Sequence, residues 1–488
     1  MEERKGFGTN FGFLMAAVGS AVGLGNIWGF PNKMGASGGF TFLIVYLVLA
    51  VLCGFIVMVG ELALGRKTHH GAVGAYKALS KKFKWMGWMG ILSAFFILFF
   101  YCALGGYCIK YTVLNIGDLF HAGFGANALA ETAAASGNSL GAEVFGAFMS
   151  SPTEAIIYGL IFVAITMIIV IGGIGGGIEK VCSVGMPALF VMLLICIVRA
   201  CTLEGAVDGL KYMFVPGWAV ANGVIEEAPN FLTVLSTAGG QMFFSLSLGM
   251  GAMITYGSYL DKKENLQKNA ILIIVMDTLV AMMAGLCVIP GRFALDPTGA
   301  LGGPKLLFVT MQNVFSRMGG FGPIFGILFY LLVVFAAVSS SISLLEVIVA
   351  HFVDKARNEG KGDMRKKYTL IAAACVGVGC ILVCADRLGD ASFTPWKLLN
   401  LPAESIRTWN DCWLDFWDML AEGVMMPLGA LLMSLMFGWE VGPEVVKEEC
   451  EASGHAMGGY GFFKVCIKYI TPLIMILVLY GQIKEYFF

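Results

Sequence analysis

The chain has 488 residues, of which 58% are hydrophobic and only 13% charged, about half the charged share of a soluble domain. A soluble fold of this size would expose too much apolar surface, and a net charge of −1 excludes a nucleic-acid partner recognised through bulk electrostatics. The thirteen cysteines lie mostly inside apolar runs without CxxC pairs or zinc spacing, and the five histidines lack metal spacing too.

Long apolar runs set the class as an all-α integral membrane protein, because a hydrocarbon core of roughly 30 Å needs about 20 helical residues. Eleven spans are predicted, at 10–35, 40–64, 87–114, 154–174, 179–201, 231–257, 267–290, 321–352, 368–385, 413–437 and 463–486. Residues 1–9 form a short polar segment ahead of them. The stretch 291–320 is too polar to span and reads as an extracellular capping hairpin. The loop after span two carries Arg66, Lys67, Lys77, Lys81, Lys82 and Lys84, with His69 and His70 solvated among them. The loop after span eight carries Lys355, Arg357, Lys361, Arg365, Lys366 and Lys367, whereas 115–153 has no Lys or Arg. The positive-inside rule then places the N-terminus in the cytoplasm, with 438–462 a cytoplasmic loop before span eleven. Arg199, near a helix end, reads as a snorkelling side chain.

Span one reads FLMAAVGSAVGLGNIWGFP, with Gly19, Gly23 and Gly25 close together. Span six carries Gly239, Gly240, Ser245, Ser247, Gly249 and Gly251. Glycine lowers the cost of leaving helical geometry by roughly 1 kcal/mol relative to Ala. A broken helix in lipid persists only where its freed carbonyls and amides find ligands. Two such helices, at positions one and six of a possible 5+5 repeat, point to a transporter site near the bilayer midplane. Glu61, closing span two, is placed to accept amides freed where span one unwinds. Asp277, inside the apolar run of span seven, reads as a cation ligand or a proton carrier. Ser339, Ser340 and Ser341 are consecutive hydroxyls inside span eight, and oxygen suits a hard cation. Glu346, two turns further on, reads as facing a cytoplasmic water path.

The strings GSAVGLGNIWGFP (19–31), GELALGR (60–66), GQMFFSLSLGMGAMITYGSY (240–259) and FAAVSSS (335–341) resemble the neurotransmitter:sodium symporter family, especially its bacterial amino-acid transporters. The resemblance implies a leucine-transporter-like fold of two inverted repeats, helices 1–5 and 6–10, in a bacterial inner membrane. It implies one sodium site at the Ala21 carbonyl, Asn26, Ser245, Asp277 and the substrate carboxylate. A second would use the carbonyls of Gly19, Val22 and Ala336 with the hydroxyls of Ser339 and Ser340. The substrate carboxylate would meet the amides of Gly23, Leu24 and Gly25 and the hydroxyl of Tyr101, and the amine the carbonyls around Ala21, Phe244 and Ser247. Ile97, Tyr101, Phe244, Met250, Ser340 and Leu344 resemble the side-chain pocket, with Phe244 as its lid. Arg4 and Asp354, with Tyr259 beside them, resemble the cytoplasmic gate, and Gly177 and Pro187 the unwinding motif of span five.

Three departures stand out. Gly29 occupies the place of a gating arginine whose acid partner resembles Asp418, so the outer gate closes differently. Asp277 replaces an asparagine and Ala281 an acid or chloride ligand, which implies transport without chloride. Gly23 stands where monoamine carriers have aspartate, so the substrate brings its own carboxylate. The reading is sodium-coupled uptake of hydrophobic amino acids such as tryptophan, tyrosine, phenylalanine or leucine, by a monomer or weak dimer. Its alternatives are another carboxylated solute (a small amino acid, a betaine or a γ-amino acid), or a sensor or channel. No nucleophile–base pair, HExxH run or phosphate loop suggests an enzyme.

Overall fold

A computed structural model describes residues 7–300, 303–399 and 411–487, and every regular element among them is helical. Nine described helices are long and apolar enough to cross a bilayer, and Asn10–Ala21 with Gly25–Ala36 forms a tenth crossing bent by 45°. The expected span six is a pair of shorter helices, Phe231–Ser245 and Ala252–Gly257, joined through residues 246–251. All eleven predicted spans therefore correspond to helices, the first and sixth of them broken.

Burial orders the bundle. Span three, Met86–Leu119, is 78% buried over its apolar window and packs along spans four, eight and nine. Spans four (Pro152–Ile171) and five (Ile174–Cys201) are only 33% and 28% buried. Span four exposes Ile157, Ile161 and Ile168, a spacing that puts one apolar stripe on one helix face. Apolar faces with nothing polar to satisfy suit lipid contact, while the broken helices stay inside, where their backbone can be satisfied. Span one packs against spans five, seven and eight.

Three loop expectations change. Span seven continues to Leu295, and residues 303–316 form one helix instead of a hairpin. That helix covers the far half of span one: Gly303 donates its amide to Asn32 Oδ1 (2.7 Å), and Trp28 Nε1 donates to the Gly303 carbonyl (3.1 Å). Arg66 is not a solvated loop cation. It is fully buried, donates to Glu449 Oε1 at 2.7 Å and to the Glu264 carbonyl at 2.7 Å, and so pins the 438–462 loop to the end of span two.

Span two (Phe40–Thr68) crosses the second half of span six almost backbone to backbone. A Cβ on Gly65 would lie 1.9 Å from the Ile254 carbonyl oxygen, and one on Gly257 would lie 2.6 Å from that of Leu62. Only hydrogen atoms fit there, as at other small-residue crossings in membranes. Gly65→Val is expected to cost about 1–3 kcal/mol through overpacking, read as earlier melting of the detergent-solubilised protein. An unchanged melting temperature would mean the two helices are not held this closely.

Candidate functional site

Asn10–Ala21 ends because Val22 is extended (φ −74°, ψ 103°), and the chain re-enters a helix at Gly25 through a π-helical turn. The last carbonyls of a helix lack partners within it. Here the Val22 amide returns to Val18 O, Ser340 Oγ donates to Gly19 O (3.2 Å), and Ser247 Oγ donates to Ser20 O (2.8 Å). Val22 O accepts from both Ser339 and Ser340 at 3.3 Å. The amides are also engaged: Gly23 N donates to Asn26 Oδ1 and Leu24 N to the Tyr101 hydroxyl, each at 2.9 Å. Gln241 Nε2 donates to the Gly25 carbonyl at 2.7 Å.

The second break passes through Ser247, Gly249 and Gly251, with φ of +55°, +81° and +81°. The two glycines suit this left-handed backbone, and the serine is a strained exception whose hydroxyl is bound across to span one. Glu61 corrects an expectation. Its Oε1 accepts the Gly249 amide at 2.7 Å, and the amides of Met253 and Ile254 face the same carboxylate. It therefore serves the break in span six, because span two crosses that half-helix and not the break in span one.

The first predicted oxygen cluster is assembled. Asp277 is fully buried and accepts from Asn26 Nδ2 (2.7 Å), Ser245 Oγ (3.0 Å) and Tyr46 OH (3.3 Å). It has no basic partner among the described residues. Ala21 is the last residue of its half-helix. The second cluster is assembled as well: Gly19 O, Val22 O and Ala336 O all accept from Ser339 or Ser340, Ala336 at 2.9 Å. Ser341 points elsewhere, toward Thr166 at 2.8 Å, since successive helical residues turn by about 100°. Neutral oxygens with one carboxylate form a hard donor set suited to a small cation.

Ile97, Tyr101, Phe244, Met250 and Leu344 are all buried. Phe244 is 7% exposed, with its ring 6.5 Å from those of Phe100 and Tyr101. A Cβ on Gly23 would sit 2.2 Å from Ser340 Oγ and 2.3 Å from the Tyr101 hydroxyl, so no side chain fits at that position.

On the N-terminal face, Phe7 packs edge-on against Phe13, Tyr256 and Tyr259. Arg4 lies outside the described residues. Asp354 accepts the Gly71 amide at 3.2 Å. Tyr259 donates to Glu346 Oε1 at 2.8 Å, and Arg365 pairs with the same carboxylate. Glu346 is thus fully buried in an ion pair instead of facing water. Span five stays wound across Gly177 and Pro187, with a π-helical turn at Ile174–Glu179 in place of the expected unwinding. Its Cys182 and Met186 side chains press on Gly19, which ties it to the second oxygen cluster.

On the opposite face the ion pair is Lys33 with Glu422, and Asp418 lies beside the lysine. Lys33 is one helical turn beyond Gly29 and Glu422 one turn beyond Asp418, so the expected acid stands next to the contact and does not make it. Gln241 fills the space beside Gly29: its Oε1 would be 2.8 Å from a Cβ at that position. Sequence reasoning missed Lys33, Glu422, Gln241, Tyr46 and Arg365. Glu422 carried a usable signal, a carboxylate within the apolar run of span ten.

The profile of the sodium:neurotransmitter symporter family matches residues 4–120 and 151–394. The sodium-dependent transporter YhdH of Bacillus subtilis (strain 168) is 32% identical over 486 residues, covering 96% of each chain. A sodium-dependent transporter of Haemophilus influenzae is 29% identical over 492 residues, covering 98% of each. The crystal structure of MhsT in complex with L-phenylalanine superposes with a TM-score of 0.82 at 31% identity, covering 98% of this chain and 100% of that one. Broken helices one and six, oxygen clusters at the first break and these full-length likenesses lead to one assignment: the chain belongs to the sodium:neurotransmitter symporter family and is a multi-pass, sodium-dependent membrane transporter, not an enzyme.

Proposed function

We propose that the protein takes up hydrophobic amino acids together with two sodium ions by alternating access, without chloride. The observation that carries this reading is the convergence of oxygens on the first break from three other helices: Ser245, Asp277, and the Ser339–Ser340 pair. One sodium is held by the Ala21 carbonyl, Asn26, Ser245 and Asp277, and is completed by the substrate carboxylate. The other is held by the carbonyls of Gly19, Val22 and Ala336 and the hydroxyls of Ser339 and Ser340. Shared ligation makes each ligand raise the affinity of the other.

The substrate carboxylate replaces internal partners at the amides of Gly23, Leu24 and Gly25, at the positive end of the second half-helix. Tyr101 donates its hydroxyl to it, and the carbonyls around Ala21, Phe244 and Ser247 receive the ammonium. Ile97, Phe244, Met250 and Leu344 present apolar surface to the side chain, and Met250 adapts to several shapes. MhsT, a structural relative, was crystallised with L-phenylalanine, which supports an aromatic substrate. The N-terminal face is cytoplasmic, in a bacterial inner membrane, and the protein works as a monomer or weak dimer. The membrane potential adds about 2.3 kcal/mol per charge per 100 mV to inward sodium movement.

Asp277 supplies the fixed negative charge. Tyr46 and Ser245 aim their hydroxyls at it, and Gln241 is committed to Gly25, so the donors here serve a carboxylate. Lys33 and Glu422 close the outer path over Phe244. Arg4, Asp354 and Tyr259 close the inner one, and span five unwinds between Gly177 and Pro187 only when that side opens.

In proteoliposomes, Asp277→Asn is expected to lower sodium-driven uptake in chloride-free medium by about tenfold or more, roughly 1.4 kcal/mol, with partial recovery when chloride is added. Equal uptake by variant and parent without chloride would remove the proposed role of this carboxylate. In a competition panel, tryptophan, phenylalanine, tyrosine and leucine should displace bound ligand, whereas displacement by alanine, glycine or γ-amino acids alone would refute the apolar pocket. Lys33→Ala should speed escape of occluded substrate to the outside by about tenfold, the order expected for a partly exposed pair. The exchanged pair Lys33→Glu/Glu422→Lys should restore slow escape. If Lys33→Ala left that rate unchanged, the gate would lie elsewhere.

A further inference from the structure

Away from the transport path, the N-terminal face holds a cavity of about 880 Å³ between helix Ala72–Leu79, the start of span three and the end of span eight. Lys77, Lys84 and Lys355 line it, one from each of three separate chain segments. Its two carboxylates are already engaged: Glu359 pairs with Lys361, and Asp354 accepts the Gly71 amide. The three lysines make no ion pair among the described residues. Three ammonium groups against two carboxylates in one concavity leave a surplus of positive charge that an added anion can meet.

The remaining wall is aromatic. Trp85 and Trp88 line the cavity and are 49% and 47% exposed, and Trp88 meets the His351 ring edge-on at 4.7 Å. They sit where the apolar run of span three begins, the level at which tryptophan anchors membrane proteins to the bilayer surface. A soluble anion needs the lysines but has no use for half-exposed indoles. A phospholipid uses both, since its phosphate meets the ammonium groups while its glycerol and upper acyl carbons lie on the rings.

We propose that this cavity binds the headgroup of an anionic phospholipid, with Lys77, Lys84 and Lys355 on the phosphate and Trp85 and Trp88 against the glycerol and proximal chains. Occupancy joins helix Ala72–Leu79 to the end of span eight, across the Gly71–Asp354 contact. The lipid thereby braces the closed N-terminal face. The site does not depend on which amino acid is carried.

The test is thermal melting of the full-length protein in detergent with added short-chain phosphatidylglycerol, short-chain phosphatidylcholine or inorganic phosphate. Phosphatidylglycerol should raise the melting temperature by about 5 °C, in the manner of any ligand specific for the folded state, and phosphatidylcholine should not. The variant Lys77→Gln/Lys84→Gln/Lys355→Gln should lose this shift, while Lys81→Gln/Lys82→Gln, which alters exposed lysines of the same loop outside the cavity, should keep it. Should the triple variant be too unstable to measure, the single Lys84→Gln in the exposed loop should lose about half of the shift. An equal shift with phosphatidylcholine, or a shift kept by the triple or wholly kept by the single variant, would overturn the proposal. A full shift from inorganic phosphate alone would make this a site for a free anion and overturn the lipid assignment.

Discussion

Everything in this structure turns on one constraint: backbone that leaves the helix inside a membrane must find partners there, at a cost of several kcal/mol for each group that does not. Two breaks create two sets of such groups, and they are satisfied in different ways. At the first, freed carbonyls take hydroxyl protons from Ser247, Ser339 and Ser340, while freed amides are met by Asn26 and Tyr101. At the second, the Gly249 amide is met by the carboxylate of Glu61. The asymmetry has a use. A carboxylate from a neighbouring span is a permanent partner, so the second break is fixed to span two. Hydroxyls rotate, so the partners at the first break are exchangeable.

The same constraint explains how gates can lie so near the site. Span one is broken, so its two halves need not move as one rod. Each half carries its own closing contact: Phe7, ahead of the first half, packs against Tyr256 and Tyr259, and Lys33 on the second half reaches Glu422. Span three is packed along spans four, eight and nine. Tyr101 on that span accepts the Leu24 amide of the first break, so the break is tied to the most buried helix of the bundle.

The breaks were legible because glycine clusters in an apolar run have few other uses in matching positions. Asp277 was legible for a similar reason, as a carboxylate with apolar residues before and after it. What could not be read was pairing. Glu61 was assigned to the wrong break because sequence does not say which half-helix a span crosses, and here the answer depends on Gly65 and Gly257 allowing contact with span six. Glu346 and Arg66 were misread in the same way, since their partners Arg365 and Glu449 lie 19 and 383 residues away. Lys33 was hidden by its ordinary appearance as a cation near a helix end. Ser339 and Ser340 were separable from Ser341 only by the helical turn between them.

The geometry of Ser339 and Ser340 also bears on the ion site proposed for them. A hydroxyl has one proton to donate and lone pairs to offer. The protons of both serines point at the carbonyls of Gly19, Val22 and Ala336, so few of these polar groups are stranded in a dry interior. A sodium ion bound there as proposed would compete with those hydrogen bonds and gain only the difference. A cage of carbonyls with no alternative partners would hold the ion far more tightly, because release would expose every one of them. In the proposed site, serines facing carbonyls would therefore favour release over tight retention. Asp277 follows the same logic, since Asn26, Ser245 and Tyr46 already keep its carboxylate hydrogen-bonded.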